Sequence, residues 1–141
     1  MLAPLELTIE ADERMAADGS TIQPLDADAL RRDLKKLADT GQVEALTICL
    51  INSYVNGDHE AQCRDIAREI FTDIPISISS DVVPEMQEYE RAETTDVNSY
   101  VRPQVSMYVD NLQASLEDRL RDDVNLAILR SDGGLASARA A

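Results

Sequence analysis

Apolar and polar residues alternate strictly over Leu5-Glu6-Leu7-Thr8-Ile9, the period of a half-buried strand. After Glu13-Arg14-Met15, the pair Asp18-Gly19 supplies turn residues ahead of Thr21-Ile22-Gln23, so the N-terminal stretch predicts a two-stranded hairpin. The period then lengthens. Leu30, Leu34, Leu37 and Ala38 fall on one face of a helix, with Asp26 as its candidate N-cap and Gly41 as its stop. Residues 44–51, Glu-Ala-Leu-Thr-Ile-Cys-Leu-Ile, are apolar at nearly every position and predict a strand covered on both faces. Asn56-Gly57 turns the chain, and Asp58 is placed to cap a second helix with the stripe Cys63, Ile66, Ala67 and Ile70. Residues 76–79 and 126–129 read as two more short strands. Between them Val97, Val101, Val105, Tyr108, Val109, Leu112, Leu116 and Leu120 recur at three and four, predicting a long helix with a continuous stripe toward the core. Pro103 lies inside that run. An interior proline costs about 3 kcal/mol, so a kink or two helices laid end to end are expected there.

A hairpin followed by alternating helices and strands predicts an α/β fold with a mostly parallel sheet, organised as a single domain over residues 1–141. With 44% hydrophobic residues in 141, the chain has the apolar content for a core. Charge narrows the partners. Asp and Glu number 27 against 13 Lys and Arg, for a net charge of -14, which repels nucleic-acid phosphates and anionic membranes. The two lysines, Lys35 and Lys36, among so many acidic residues fit either a high-salt source or simply an acidic surface. Cys49 and Cys63 fall at apolar positions and read as reduced core cysteines. A single histidine, His59, leaves a zinc site short of ligands; between Asp58 and Glu60 it reads as a surface residue. No membrane-length apolar run or signal-peptide pattern appears, so a cytoplasmic location is expected.

Candidate chemistry is sparse. A nucleotide site in an α/β domain commonly uses a glycine-rich loop after the first strand, and none is present in this sequence. Gly19, Gly41 and Gly57 are assigned to a turn, a helix end and a loop. Only Ser131-Asp132-Gly133-Gly134 follows a predicted strand closely enough to cradle a phosphate. In Pro84-Glu85-Met86-Gln87-Glu88-Tyr89-Glu90-Arg91, Glu85 and Glu88 would share a face if helical, and Glu90 and Arg91 would suit an ion pair. A solvated first helical turn, with acidic residues at the positive end of the dipole, explains the same spacing. The segment from Glu85 to Arg91 is expected to form a charged junction leading into the long helix, with Arg91 paired to a carboxylate. Ser131 has no histidine near it in sequence, so a Ser-His-Asp triad has little support.

The stretch SSDVVPEMQEYERAETTDVNSYVRP resembles a block of the hydantoinase A/5-oxoprolinase family. DGSTIQPLD, ALTICLINSYVNGDHE and LRSDGGLASA resemble the same family in the same order, so the likeness extends over essentially the whole chain. The family positions are Pro84, Glu85, Glu88, Tyr89, Glu90, Arg91, Thr94, Thr95, Asn98, Tyr100 and Pro103. Ala92 and Glu93 replace small hydroxyl residues common after the arginine, and Asp132 stands where an asparagine is usual. An extra carboxylate beside a phosphate is unfavourable, which counts against direct phosphate contact by Asp132 unless a metal intervenes.

The resemblance implies a fold that is part of an actin-like or sugar-kinase-like ATPase lobe. It implies ATP-dependent hydrolysis of cyclic amides such as hydantoins or 5-oxoproline, with acetone-carboxylase-type relatives activating other carbonyl compounds. It further implies that ATP and Mg2+ act in a longer parent protein, whose phosphate loops lie outside this chain, and that no cofactor binds this region alone. Ser131, Gly133 and Gly134 are the candidate edge of a phosphate loop. The catalytic residues stay unassigned. The implied partners are the remainder of the same polypeptide and a hydantoinase B-type subunit, with a homo-oligomer also open. A non-catalytic interaction domain that uses its acidic surface to bind a partner subunit is the alternative.

Overall fold

A computed structural model describes residues 3–120, 126–129 and 134–137. It divides the chain into two compact units, Met1–Tyr100 and Val101–Ala141. The first unit begins with a single 3-10 turn, Leu5–Leu7, in place of the strand expected at residues 5–9. Thr8 explains the difference: its N–H donates to Leu5 O at 3.1 Å and its hydroxyl to Pro4 O at 3.1 Å. The hairpin itself is formed by β1 (Arg14–Met15) and β2 (Thr21–Gln23), which are antiparallel with a bulge between Arg14 and Met15. Its turn uses Gly19 at φ +83, a left-handed conformation that suits glycine.

Helix α1 (Ala27–Asp39) starts as expected, with Asp26 Oδ1 accepting the Ala29 N–H at 2.9 Å. It stops at Gly41, whose φ of +65 lets its N–H reach Ala38 O at 3.0 Å. Strand β3 (Leu46–Ile48) pairs in parallel with β4 (Ile76–Ile78). Between them lies α2 (Asp58–Ile70), whose N-cap is Gly57 with no side-chain cap, in place of the expected Asp58. Asn56 Oδ1 accepts the Asp58 N–H at 2.9 Å, and Asp58 opens the helix, where its charge suits the positive end. Ser79 starts the short α3 (Ser79–Val82) instead of ending the preceding strand.

The core of this unit is Leu30 and Leu34 of α1 against Cys63, Ile66 and Ala67 of α2, with Leu46, Ile48 and Ile76 packed on it from the sheet. Each buried large aliphatic side chain contributes about 1.5–3 kcal/mol relative to exposure. β3 is shorter than the apolar run 44–51. Its ladder ends because the Leu50 N–H donates to Glu60 Oε1 at 2.8 Å and Leu50 O accepts from Arg91 Nη2 at 2.7 Å. Cys49 therefore lies past the strand and is half-buried, while Cys63 is buried; both are free thiols.

Helix α4 (Glu88–Leu120) runs through Pro103 as one helix. Its expected apolar stripe does not face a core throughout. Val97, Val101, Val105, Tyr108 and Leu120 are exposed, Leu112 and Leu116 are half-buried, and Val109 is buried. In the first unit the buried positions of α4 are instead Arg91, Thr95 and Ser99, four residues apart on one face. The second unit also contains the antiparallel pair β5 (Ala127–Leu129) and β6 (Leu135–Ser137). The fold is thus α/β, but among the described residues one strand pair is parallel and two are antiparallel, so a mostly parallel sheet is not what these strands form. No described helix is long and apolar enough to cross a membrane.

Candidate functional site: a buried arginine junction and an edge cleft

Three segments converge on Arg91 in the first turn of α4: the loop 49–57 after β3, the α3 start and the stretch just ahead of α4. The Arg91 side chain belongs to a residue only 1% exposed, and its three kinds of nitrogen have three different acceptors. Nε donates to Ser79 Oγ at 3.0 Å, Nη1 to Glu85 O at 2.6 Å and Nη2 to Leu50 O at 2.7 Å. The guanidinium carbon also lies 5.7 Å from the centroid of the Tyr54 ring, within cation–π range. The expected carboxylate pairing of Arg91, with Glu90 or another acid, is not formed. Two backbone carbonyls and a hydroxyl take that place, each within reach of a different nitrogen of the guanidinium fork.

The nearest acid in this network is Glu60, fully buried and linked to Arg91 through one hydroxyl. Ser79 Oγ donates to Glu60 Oε1 at 2.6 Å while accepting from Arg91, and Ser53 Oγ lies 3.2 Å from Ser79 Oγ. Glu60 Oε1 also accepts the Leu50 N–H, and Oε2 the Ser80 N–H at 2.8 Å. A buried carboxylate with three donors and a cation one hydroxyl away is compensated for its desolvation. The close approach of α3 to α2 completes the junction. A Cβ on Gly57 would stand 2.7 Å from Ser80 Oγ and 2.9 Å from Ser80 Cβ.

A second buried polar pair lies on the other side of the α2 N-terminus. His59, expected at the surface, is 5% exposed, and its Nδ1 is 2.5 Å from Glu13 Oε2. Glu13 sits just before β1, so this pair ties the hairpin to α2. One turn on, burial, with the negative charges of Glu13 and Glu60 behind it, pushes the Cys63 thiol up to about 12.

The family-motif residues divide sharply. Thr95 is buried and its hydroxyl donates to Arg91 O at 2.7 Å. Glu85 lies ahead of α4 rather than on one helical face with Glu88, and contributes its carbonyl. Glu88, Glu90, Thr94 and Tyr100 are exposed and Asn98 is half-buried. Tyr89 is exposed and donates to Glu93 Oε1 at 2.6 Å; that bond and the carboxylate's charge raise its phenol above the ordinary value. Gly134 is exposed, immediately before β6, while Ser131 and Gly133 lie outside the described residues. Glu60, Ser79, Ser53, Tyr54 and Glu13 were not singled out from the sequence, in which His59 reads as a surface residue. All but Glu13 lie within two of the segments that carry the family resemblance, SYVNGDHE and SSDVVPE, which was the available signal.

A cleft of about 480 Å³ opens beside β3. Every residue from Gln42 to Leu50 lines it. One wall holds Leu30, Leu34 and Leu37 of α1, and the other holds Ala92, Asp96, Ser99 and Tyr100 of α4. Thr47 Oγ1 donates to Ser99 Oγ at 2.9 Å, fixing α4 to that strand. Among the described residues no group of three or more His, Cys, Asp or Glu is placed to hold a metal ion.

The family model of the hydantoinase/oxoprolinase N-terminal region matches residues 1–71, and that of hydantoinase/oxoprolinase matches residues 91–141. The chain belongs to the hydantoinase/oxoprolinase family. It is 31% identical over 136 residues to the caprolactamase subunit alpha of Pseudomonas jessenii, covering 96% of this chain and 19% of that one. It is 32% identical over 115 residues to the 5-oxoprolinase of Saccharomyces cerevisiae, covering 81% of this chain and 9% of the relative. Its fold superposes on nucleotide-free acetone carboxylase with a TM-score of 0.81 at 25% identity, covering 92% of this chain and 18% of that chain. In each comparison the chain spans less than a fifth of the relative's length.

Proposed function

We propose that this chain is part of the N-terminal region of an ATP-dependent hydrolase that opens cyclic amides such as hydantoins or 5-oxoproline. The observation that carries the proposal is the 31% identity to a caprolactamase subunit over 96% of this chain, together with the match to 5-oxoprolinase. Both relatives are named for a substrate whose reactive bond is an amide inside a ring. ATP bound by the parent polypeptide would supply the activation of that amide carbonyl toward water.

Three of the described glycines, Gly19, Gly41 and Gly57, have structural roles that do not suit the phosphates of that nucleotide. Gly19 packs 3.1 Å from Val55 Cγ1 through its would-be Cβ position, Gly57 is closed off by Ser80, and Gly41 ends a helix. Our reading assigns ATP and Mg2+ chiefly to other parts of the parent polypeptide, with Gly134 as the one described glycine left at a candidate phosphate-loop edge. The work of this region is positional. The Arg91 junction fixes the first turns of α4, and with them the exposed Glu88, Tyr89, Glu90, Thr94 and Tyr100 and the half-buried Asn98, toward the remainder of the protein. Relatives named as subunits, the caprolactamase alpha and the acetone carboxylase beta subunits, support a separate partner subunit, which our reading takes to be of hydantoinase B type.

The test is ADP release by the full-length parent with hydantoin, 5-oxoproline or caprolactam, with and without its partner subunit. Cyclic-amide-dependent ADP release is expected. The superposition on acetone carboxylase favours a second reading, an ATP-dependent carboxylase, and ADP release that depends on a ketone and bicarbonate instead would establish that one.

A further inference from the structure

The cleft beside β3 has the form of an empty strand position. A cavity over one face of a strand is lined by alternate residues, because successive side chains point to opposite faces. Here nine consecutive residues, Gln42 to Leu50, line the same space, which places it along the strand's edge. The backbone agrees. Leu46 N–H donates to Pro75 O at 2.9 Å, so Leu46 and Ile48 direct their peptide groups to β4, and Thr47 and Cys49 direct theirs the other way. Among the described residues β3 has β4 as its strand neighbour and no second one. The walls lie as they do over a covered sheet, with apolar Leu30, Leu34 and Leu37 of α1 on one side and the mixed set Ala92, Asp96, Ser99 and Tyr100 of α4 on the other. This accounts for β3 being half-buried along its whole length, although its sequence is that of a strand buried on both faces.

We propose that an extended apolar segment of the parent polypeptide, from outside these 141 residues, adds to β3 as a further strand and fills this cleft. The proposal rests on the reading of this chain as one region of a longer protein, which its coverage of less than a fifth of each relative supports. Outward peptide groups at a strand edge, here those of Thr47 and Cys49 beside the apolar wall of α1, are a template for strand addition. The acidic groups at the rim, Glu44 and Asp96, suit an occupant without negative charge. The chain's own period-two stretch Leu5–Ile9 borders the same cleft but is bent into a turn, and a second copy of this chain is the other competitor.

Residue-resolved amide exchange of the full-length parent separates these cases, and it does so whether or not that protein hydrolyses cyclic amides. Thr47 and Cys49 are expected to exchange at least about 100-fold more slowly than an open edge allows, comparably to Leu46 and Ile48, at every protein concentration. Leu7 and Ile9 are expected to stay fast. Fast exchange at Thr47 and Cys49 beside protected Leu46 and Ile48 overturns the proposal. Protection that grows with protein concentration assigns the edge to a second copy, and joint protection of Leu7 and Ile9 assigns it to the N-terminal stretch; either result overturns it too.

Discussion

Replacing Arg91 by alanine removes the group on which three chain segments meet. Three hydrogen bonds are lost, to Ser79 Oγ, Glu85 O and Leu50 O, along with the contact to the Tyr54 ring. They are not equal in weight. Glu85 is exposed, so its carbonyl regains water and costs little. Leu50 O is partly buried and keeps only a long bond from the Ser53 N–H at 3.4 Å, and Ser79 is fully buried; leaving such acceptors short of a donor costs up to about 1–3 kcal/mol each. Glu60 keeps its three donors but loses the nearby cation, while the cation–π contact adds about 0.5–1 kcal/mol. The expected loss is therefore about 3 kcal/mol, in the range seen when one member of a buried charged network is removed. Urea denaturation of the wild type and Arg91→Ala, followed by far-UV circular dichroism, reads it directly as a shift in midpoint at constant slope. Arg91→Lys, with a single ammonium in place of the fork, should recover less than half of the loss. A midpoint unchanged by Arg91→Ala, within about 0.5 kcal/mol, refutes the junction as a stabilising element.

Gly57→Ala should destabilise by about 1–3 kcal/mol, because its methyl would meet Ser80 Cβ at 2.9 Å and Ser80 is held by its backbone bond to Glu60; thermal unfolding checks this, and a melting temperature at or above wild type contradicts it. His59→Leu should cost about 2–3 kcal/mol by leaving the Glu13 carboxylate buried without its partner, and the double variant with Glu13→Leu should recover part of that loss in a denaturation cycle. The Cys63 thiol, pushed up to about 12 from 9.0, should resist alkylation at pH 8 in the native protein and react on unfolding. The folded state holds this proton more tightly than the unfolded one, so the stabilisation is complete below pH 9 and falls as pH rises from about 9 toward 12. Cys63→Ser should flatten that alkaline decline, and an unchanged decline counts against Cys63 as its source.

The local grammar of the first hundred residues was legible in the sequence because short-range physics governs it. Asp26 and Gly41 bound α1 through bonds to residues three positions away, and the Asp18-Gly19 turn joins neighbouring strands. Leu30, Leu34, Cys63, Ile66 and Ala67 meet in the core that their helical spacing predicted. The family was legible too, since the ordered motifs extend over the chain. What the spacing misjudged depends on groups far apart in sequence. The apolar run 44–51 yields three strand residues because Glu60 and Arg91 capture the peptide of Leu50. In α4 the valine stripe lost to Arg91, Thr95 and Ser99, whose polar groups find partners on β3, α3 and the α4 backbone. Periodicity ranks residues by hydrophobicity alone, whereas a buried polar side chain is tolerated wherever the fold supplies its hydrogen bonds, and only the tertiary structure says where that is. His59 is the plainest case: between two acids in the sequence it has every mark of a surface residue, and it is buried because the hairpin brings Glu13 to it across 46 positions.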